Sequence, residues 1–268
     1  MGIPETEKVS GRAAVLVIDN AKGSSFFGMS AEAMDNLGED LFESMFVDHY
    51  SHVFVVKAPM SRNNEKEVLI NLDEATKRFG TVDMIVLTHN NTDNGSGLVG
   101  VPANRYFNKL SPEQRNHLRL LLNIGCEEGG QRIANMAYKI GFKTYVGFPE
   151  RGPNGIGAYW LLEKWLSGMS LKSAATEVQK KIDRWADIIW PAIYAYAFRE
   201  SGEFYFERYL DPSCQPYLLS PDEKKPGLCA SPKAFANRLT QKTRNAVPTI
   251  LGEDVPFDSN DSIIQSTK

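Results

Sequence analysis

The sequence is poor in the residues that most often carry chemistry. Its 268 residues include only three cysteines and four histidines. No CxxC and no HxxxH occurs, which removes most zinc scaffolds. An excess of one charge is also missing. Thirty basic and 33 acidic residues leave a formal net charge of −3, whereas sequence-independent nucleic-acid binding needs a dominant basic face. No run of about 20 apolar residues exists, so no transmembrane helix is expected. Met1–Thr6 has no basic segment followed by an apolar one, so a secretory signal is not expected. The segment nominally fits the myristoylation pattern, but a start methionine followed by a domain-boundary scar is the plainer reading. Neither a Walker loop nor a GxSxG elbow occurs, which leaves nucleotide and classical serine-hydrolase chemistry unsupported.

What is present is a core. Hydrophobic residues make up 42% of the chain, too many for a disordered polymer. A chain of this length buries roughly 70% of its unfolded surface, so no disulfide or metal staple is required.

Apolar runs and helical periods alternate along the first 200 residues. Ala13–Asp19 is a continuous apolar run ending in an acid, which reads as a strand buried on both faces of a parallel sheet. Residues 29–47 have helical spacing, with Ser30 as N-cap. Val53–Val56 is a second strand. Residues 65–79 are helical and are expected to end at a Gly80 cap. Met84–Leu87 is a third strand, followed by a loop rich in Gly, Asn and Asp at 90–100. Ser111-Pro112 opens a short helix over 111–117. Leu118–Ile124 is a fourth strand, 131–140 a helix ended by Gly141, and Thr144–Gly147 a fifth strand. Helices are expected at about 156–167 and 171–198. Five strand–helix alternations predict an α/β domain over 1–200, with a mostly parallel central sheet and helices on both faces. Residues 201–268 hold seven of the fourteen prolines and read as an irregular extension. Its tail from about 252 is polar and expected to be mobile.

Ligands of such sheets bind beyond the carboxyl ends of the strands. Asp19, His89, Cys126 and Glu150 all fall at or just after those ends. Cys126 lies at a strand-to-helix connection among Gly125, Gly129 and Gly130. A helix N-terminus favours its thiolate, the nucleophilic form, while Glu127 and Glu128 oppose it if they face inward. The glycines permit close approach of a substrate backbone, and the Cys126 N–H suits an oxyanion hole. His89, 37 residues earlier, is the natural acid–base partner. His49, His52 and His117 lie at the opposite strand ends. The four tryptophans fall on predicted helices at packing positions. Cys214 and Cys229 either pair, which implies an extracytoplasmic compartment, or are separate thiols of a soluble, cytoplasmic protein.

Thr88-His89-Asn90 and Asn123-Ile124-Gly125-Cys126-Glu127-Glu128-Gly129-Gly130 resemble the paired histidine and cysteine blocks of the caspase-like cysteine peptidases. That superfamily includes caspases, gingipains, separase and bacterial CHAT domains. Gly141–Gly147, and Trp165–Ala174 with its Gly168-x-Ser170, resemble the segments that follow the cysteine in CHAT and separase-type domains. The resemblance spans about 12–200. It implies a three-layer caspase-like sandwich, a Cys126 nucleophile, a His89 acid–base, and an oxyanion hole from the N–H groups of Asn90 and Cys126. The family usually has Gly where Asn90 stands. The resemblance places Asp19, Glu127 and Glu150 around the substrate, and their charge suggests a basic P1 residue. The expected activity is a thiol protease acting on a protein or peptide, with no cofactor and no metal. A regulatory partner or an activating cleavage is compatible with it. The alternative is an inactive caspase-like domain that binds a protein partner through the same rim.

Overall fold

A computed structural model describes residues 9–18, 25–26, 29–30, 42, 44–57, 65–87, 97–125, 128–149, 154–184 and 247–257. Six strands make the main sheet: β1 (Val9–Ile18), β2 (His52–Lys57), β3 (Phe79–Leu87), β4 (Leu118–Asn123), β5 (Thr144–Gly147) and β6 (Thr249–Gly252). Their order is β6-β5-β4-β3-β1-β2. β1 to β5 are mutually parallel, and β6 runs antiparallel along β5. The expected α/β class with a mostly parallel sheet is what is found.

The apolar runs are strands because both faces of this sheet are covered. Ala13, Val15 and Val17 join one core with Val68 and Leu72 of helix α1 (Glu65–Arg78). The same core takes Ala134 and Ala137 of a helix over Gln131–Ile140. Ala14, Leu16 and Ile18 join a second core with Phe46. Leu161 and Trp165 of a helix over Asn154–Leu166 and Ala174 and Val178 of helical residues 171–184 complete it. Each fully buried aliphatic side chain contributes about 1.5–3 kcal/mol, and successive residues of β1 supply one face and then the other.

Between α1 and β4 lie two short helices, α2 (Ala103–Lys109) and α3 (Pro112–Asn116). α3 is opened by a capping box: the Gln114 N–H donates to Ser111 Oγ, and the Ser111 N–H donates to Gln114 Oε1. Two further helices are α4 (Gln131–Ile140) and α5 (Asn154–Leu166). α4 ends at Gly141 with φ +129, where a Cβ would stand 2.6 Å from the Arg115 carbonyl oxygen.

Three expectations are corrected. Gly80 does not cap α1: the helix stops at Arg78 and β3 starts at once, because Phe79 is buried and pairs with Val9. The helix expected over 29–47 does not include its first two residues, since Met29–Ser30 pairs antiparallel with Ser25–Phe26; whether Ser30 caps it depends on 31–41, which lie outside the described residues. Finally, residues 249–257 of the tail are ordered against the domain, with Thr249–Gly252 a strand of the main sheet and Phe257 buried.

The tail is held residue by residue. The Thr144 hydroxyl donates to the Glu253 carbonyl at 2.8 Å. Asp254 accepts from the Lys172 N–H at 2.9 Å and from the Ser170 hydroxyl at 3.1 Å, capping the start of the 171–184 helix. The Trp165 indole donates to the Val255 carbonyl at 2.9 Å. Arg119 donates to the Phe257 carbonyl at 3.2 Å.

Candidate active site

The strand register builds a rim. Ile18 pairs with Leu87, Val86 with Asn123, and Asn123 with Gly147. Four parallel strands therefore end within one residue of a common row. Asp19 is the next residue after Ile18. His89 follows Leu87 by two, Cys126 follows Asn123 by three, and Glu150 follows Gly147 by three. Asp19, His89, Asn90, Cys126, Glu127 and Glu150 themselves lie outside the described residues. The described chain brings together the points from which they depart.

The approach to Cys126 is well defined. The Ile124 N–H donates to the Val86 carbonyl at 2.8 Å, so pairing of β4 with β3 persists one residue past the strand. The Gly125 N–H donates at 3.1 Å to Oδ1 of Asn123, two residues back, and turns the chain out of the sheet. Beyond the undescribed pair 126–127, the chain is held again. The Tyr145 hydroxyl donates to the Glu128 carbonyl at 2.5 Å. The Gly129 N–H donates to the Phe148 carbonyl at 2.9 Å.

The glycines of this segment have specific duties. A Cβ on Gly147 would lie 2.3 Å from the Glu128 carbonyl oxygen, and one on Gly129 would lie 2.6 Å from the Pro149 nitrogen. Two backbones are pressed together with no room for a side chain. Gly129 thus allows the turn to approach β5, where the expectation gave it to the approach of a substrate. Gly130 meets nothing and stands at the N-cap of α4 in extended conformation. Gln131, the first residue of α4, comes five residues after Cys126. The connection is longer than a tight elbow, and the helix dipole acts over only about one turn.

Glu128 is 4% exposed. Burial pushes the Tyr145 hydroxyl far up from its ordinary range. The Glu128 charge adds to the rise, and a hydrogen bond with Asn123 opposes it. Asn123 and Tyr145 escape a sequence reading that looks for nucleophiles and bases. The one available signal is Asn123, a polar residue closing the apolar run Leu118–Leu122 directly before a turn.

The other histidines lie at the amino ends of the strands, as expected. His52 opens β2, stacks on Phe79 and meets Phe54 edge-on. His49 packs edge-on against Phe257. His117 precedes β4, and its Nδ1 bonds the Thr76 carbonyl at 2.8 Å. Trp165 is buried and Trp160 lies under Lys181, so both serve packing. Trp185, Trp190, Cys214 and Cys229 lie outside the described residues.

Gly95-Ser96-Gly97-Leu98-Val99-Gly100 has the GxGxxG spacing of dinucleotide-binding loops. Its structure is different. Gly97–Leu98 pairs antiparallel with Val101–Pro102, and Val99 and Gly100 both have positive φ, 57° and 70°. This is a two-residue hairpin turn, not the strand-to-helix turn that binds pyrophosphate.

Among the described residues no helix is long and apolar enough to cross a membrane. No protein-family model matches the chain, and neither does any curated protein or solved structure.

Proposed function

We propose that the chain is a cysteine endopeptidase in which Cys126 is the nucleophile and His89 the acid–base. The observation that carries this reading is the common row of Leu87, Asn123 and their neighbours, from which the two residues depart on adjacent strands. A mostly parallel sheet with helices on both faces, which the caspase-like resemblance implies, also supports it.

The Cys126 thiolate attacks the scissile carbonyl carbon. A C–S bond forms, and the N–H groups of Asn90 and Cys126 stabilise the oxyanion. The C–N bond breaks as His89 gives its proton to the leaving amine. His89 then takes a proton from water, the hydroxide attacks the thioester, and the C–S bond breaks to restore the thiolate. Asp19, Glu127 and Glu150 would attract a basic P1 side chain.

One observation favours a second reading, an inactive domain that binds a protein through this rim. Glu128 is buried two residues past the thiol, and a carboxylate there disfavours the thiolate. A peptide library varied at P1, together with a thiol-directed inhibitor bearing a basic P1 group, separates the two. A peptidase cleaves after Lys or Arg and is labelled at Cys126, with labelling reduced in His89→Ala. Neither cleavage nor labelling, in a sample also tested after limited proteolysis, leaves the binding domain.

A further inference from the structure

Two side chains that take no part in the chemistry above hold the backbone on both sides of Cys126. Asn123 Oδ1 accepts the Gly125 N–H at 3.1 Å, immediately before the cysteine. The Tyr145 hydroxyl donates to the Glu128 carbonyl at 2.5 Å, two residues after it. Asn123 and Tyr145 belong to neighbouring strands. Asn123 pairs with Gly147 and Leu121 with Tyr145, so the period of two puts both side chains on one face of the sheet. Both are buried, Tyr145 completely. Their bonds are therefore made away from competing water, where each has its full directing effect.

We propose that Asn123 and Tyr145 are positioning residues for Cys126, holding the backbone at Gly125 and at Glu128 on either side of it. This rests on the peptidase reading. A nucleophile must sit within a fraction of an ångström of its attack position, and both the thiol and its own N–H are set by the backbone between residues 125 and 128. A turn anchored only by its strand could rotate about Gly125, since glycine resists no rotation of its own. Two side-chain anchors, one from β4 and one from β5, remove that freedom. Besides the hydrogen bond between the two side chains, both anchors hold backbone groups next to Cys126, which makes them positioning residues and not catalytic ones. Gly129 and Gly147 belong to the same device, because the Tyr145 hydroxyl reaches Glu128 only while the two backbones stay in contact.

The test uses the full chain and reads Cys126 directly. Iodoacetamide alkylation of Cys126 is followed by mass spectrometry from pH 5 to 9, and kcat and KM are measured on the best peptide of the P1 library. Tyr145→Phe removes the hydroxyl and little volume, and Asn123→Ala removes the other anchor. Each is expected to lower the alkylation rate and kcat roughly ten- to a hundred-fold, the effect of misplacing a reacting group by about an ångström. The pH midpoint of alkylation shifts, and KM changes by less than twofold. If both act on one turn, the double variant loses no more than the worse single variant. A merely structural role moves the thermal midpoint and leaves the alkylation profile of the folded fraction unchanged, which overturns the proposal. Should Tyr145→Phe fail to fold, Asn123→Ala decides alone. Wild-type Cys126 that neither alkylates faster than free cysteine nor cleaves any peptide removes the peptidase reading and this proposal with it. An active wild type with unaltered variants removes only the positioning role.

Discussion

Arg119 grips Asp83 in the interior of the sheet, with side chains 2% and 0% exposed. The guanidinium meets the carboxylate through two N–H groups, one from Nε at 2.9 Å. Every other lone pair has a use as well. The Tyr50 hydroxyl donates to Asp83 at 2.8 Å and the Leu120 N–H at 3.1 Å. The cation lies 5.0 Å above the Trp165 ring and 5.4 Å above Phe257. Asp83 lies midway along β3, and Arg119 is the second residue of β4.

Removing one partner strands a buried charge. Asp83→Ala or Arg119→Ala should cost about 3–5 kcal/mol, read as a fall in the urea midpoint. Tyr50→Phe loses one hydrogen bond to a charged acceptor and should cost about 1.5–3 kcal/mol. Replacing both charges together, Asp83→Leu with Arg119→Met, should recover part of the loss. A double variant as unstable as the sum of the singles would show that the pair is held for something other than mutual neutralisation.

Phe257 anchors the returning tail. Its ring meets Trp165 at 5.0 Å and Tyr50 at 5.7 Å, both edge-on, and Arg12 stacks at 4.4 Å. Phe257→Ala should cost about 3–5 kcal/mol. A chain ending at residue 248 loses more than the ring. It exposes the edge of β5, removes acceptors of Trp165 and Arg119, and should elute as aggregate in size exclusion. A monomeric truncated chain with an unchanged melting point would contradict the tail's place in the core.

The contrast between α4 and β6 shows what local pattern can and cannot reveal. Gln131–Ile140 was legible because its apolar residues recur at helical spacing between two glycines, and Thr144–Gly147 because it is a short run between turns. Thr249–Gly252 carries no such signature. It is a strand because its partner, Thr144–Gly147, lies about a hundred residues earlier. Phe257 is buried by aromatic rings and guanidinium groups from four separate segments, which no window of sequence contains. α2 was missed because it is seven residues long, without a side-chain cap, and buries only Tyr106. The candidate site divides in the same way. The strand ends that launch His89 and Cys126 were readable from the apolar runs. The hold of Tyr145 on Glu128 depends on the register of β4 with β5, which exists only in the folded sheet.

Three buried tyrosines make the protein sensitive to alkali. Burial pushes the hydroxyls of Tyr50, Tyr106 and Tyr145 well above their ordinary value of 10.0. The charges of Asp83, Glu65 and Glu128, respectively, add to it. A raised folded-state value means that the folded protein keeps its protons where the unfolded chain releases them. Stability from these groups is intact below pH 10 and is lost as pH rises beyond it. The loss is roughly 1.4 kcal/mol per group for each pH unit above 10. Urea midpoints measured from pH 8 to 11.5 should be flat at first and then fall steeply. Absorbance at 295 nm should show some of the ten tyrosines ionising only on unfolding. A full tyrosine titration near pH 10 with the fold intact would refute the burial of these three hydroxyls.

The glycines around Cys126 separate packing from mere flexibility. Gly147→Ala puts a methyl 2.3 Å from the Glu128 carbonyl oxygen, and Gly129→Ala puts one 2.6 Å from the Pro149 nitrogen. Both obstacles are backbone, so neither can swing aside. Each substitution must pry the 128–130 segment off β5, at a cost of about 1–3 kcal/mol. Gly130→Ala meets nothing within 4 Å. At an N-cap already without a side-chain bond, it should change stability by only a few tenths of a kcal/mol. The same ranking is expected for chemistry, because prying the segment away breaks the Tyr145 bond to Glu128. Cys126 alkylation should slow in the Gly147 and Gly129 variants and stay normal in the Gly130 variant. If all three variants lose equal stability, backbone entropy is the common cause. If Gly130→Ala alone slows the thiol, the contact between the turn and β5 has no bearing on it.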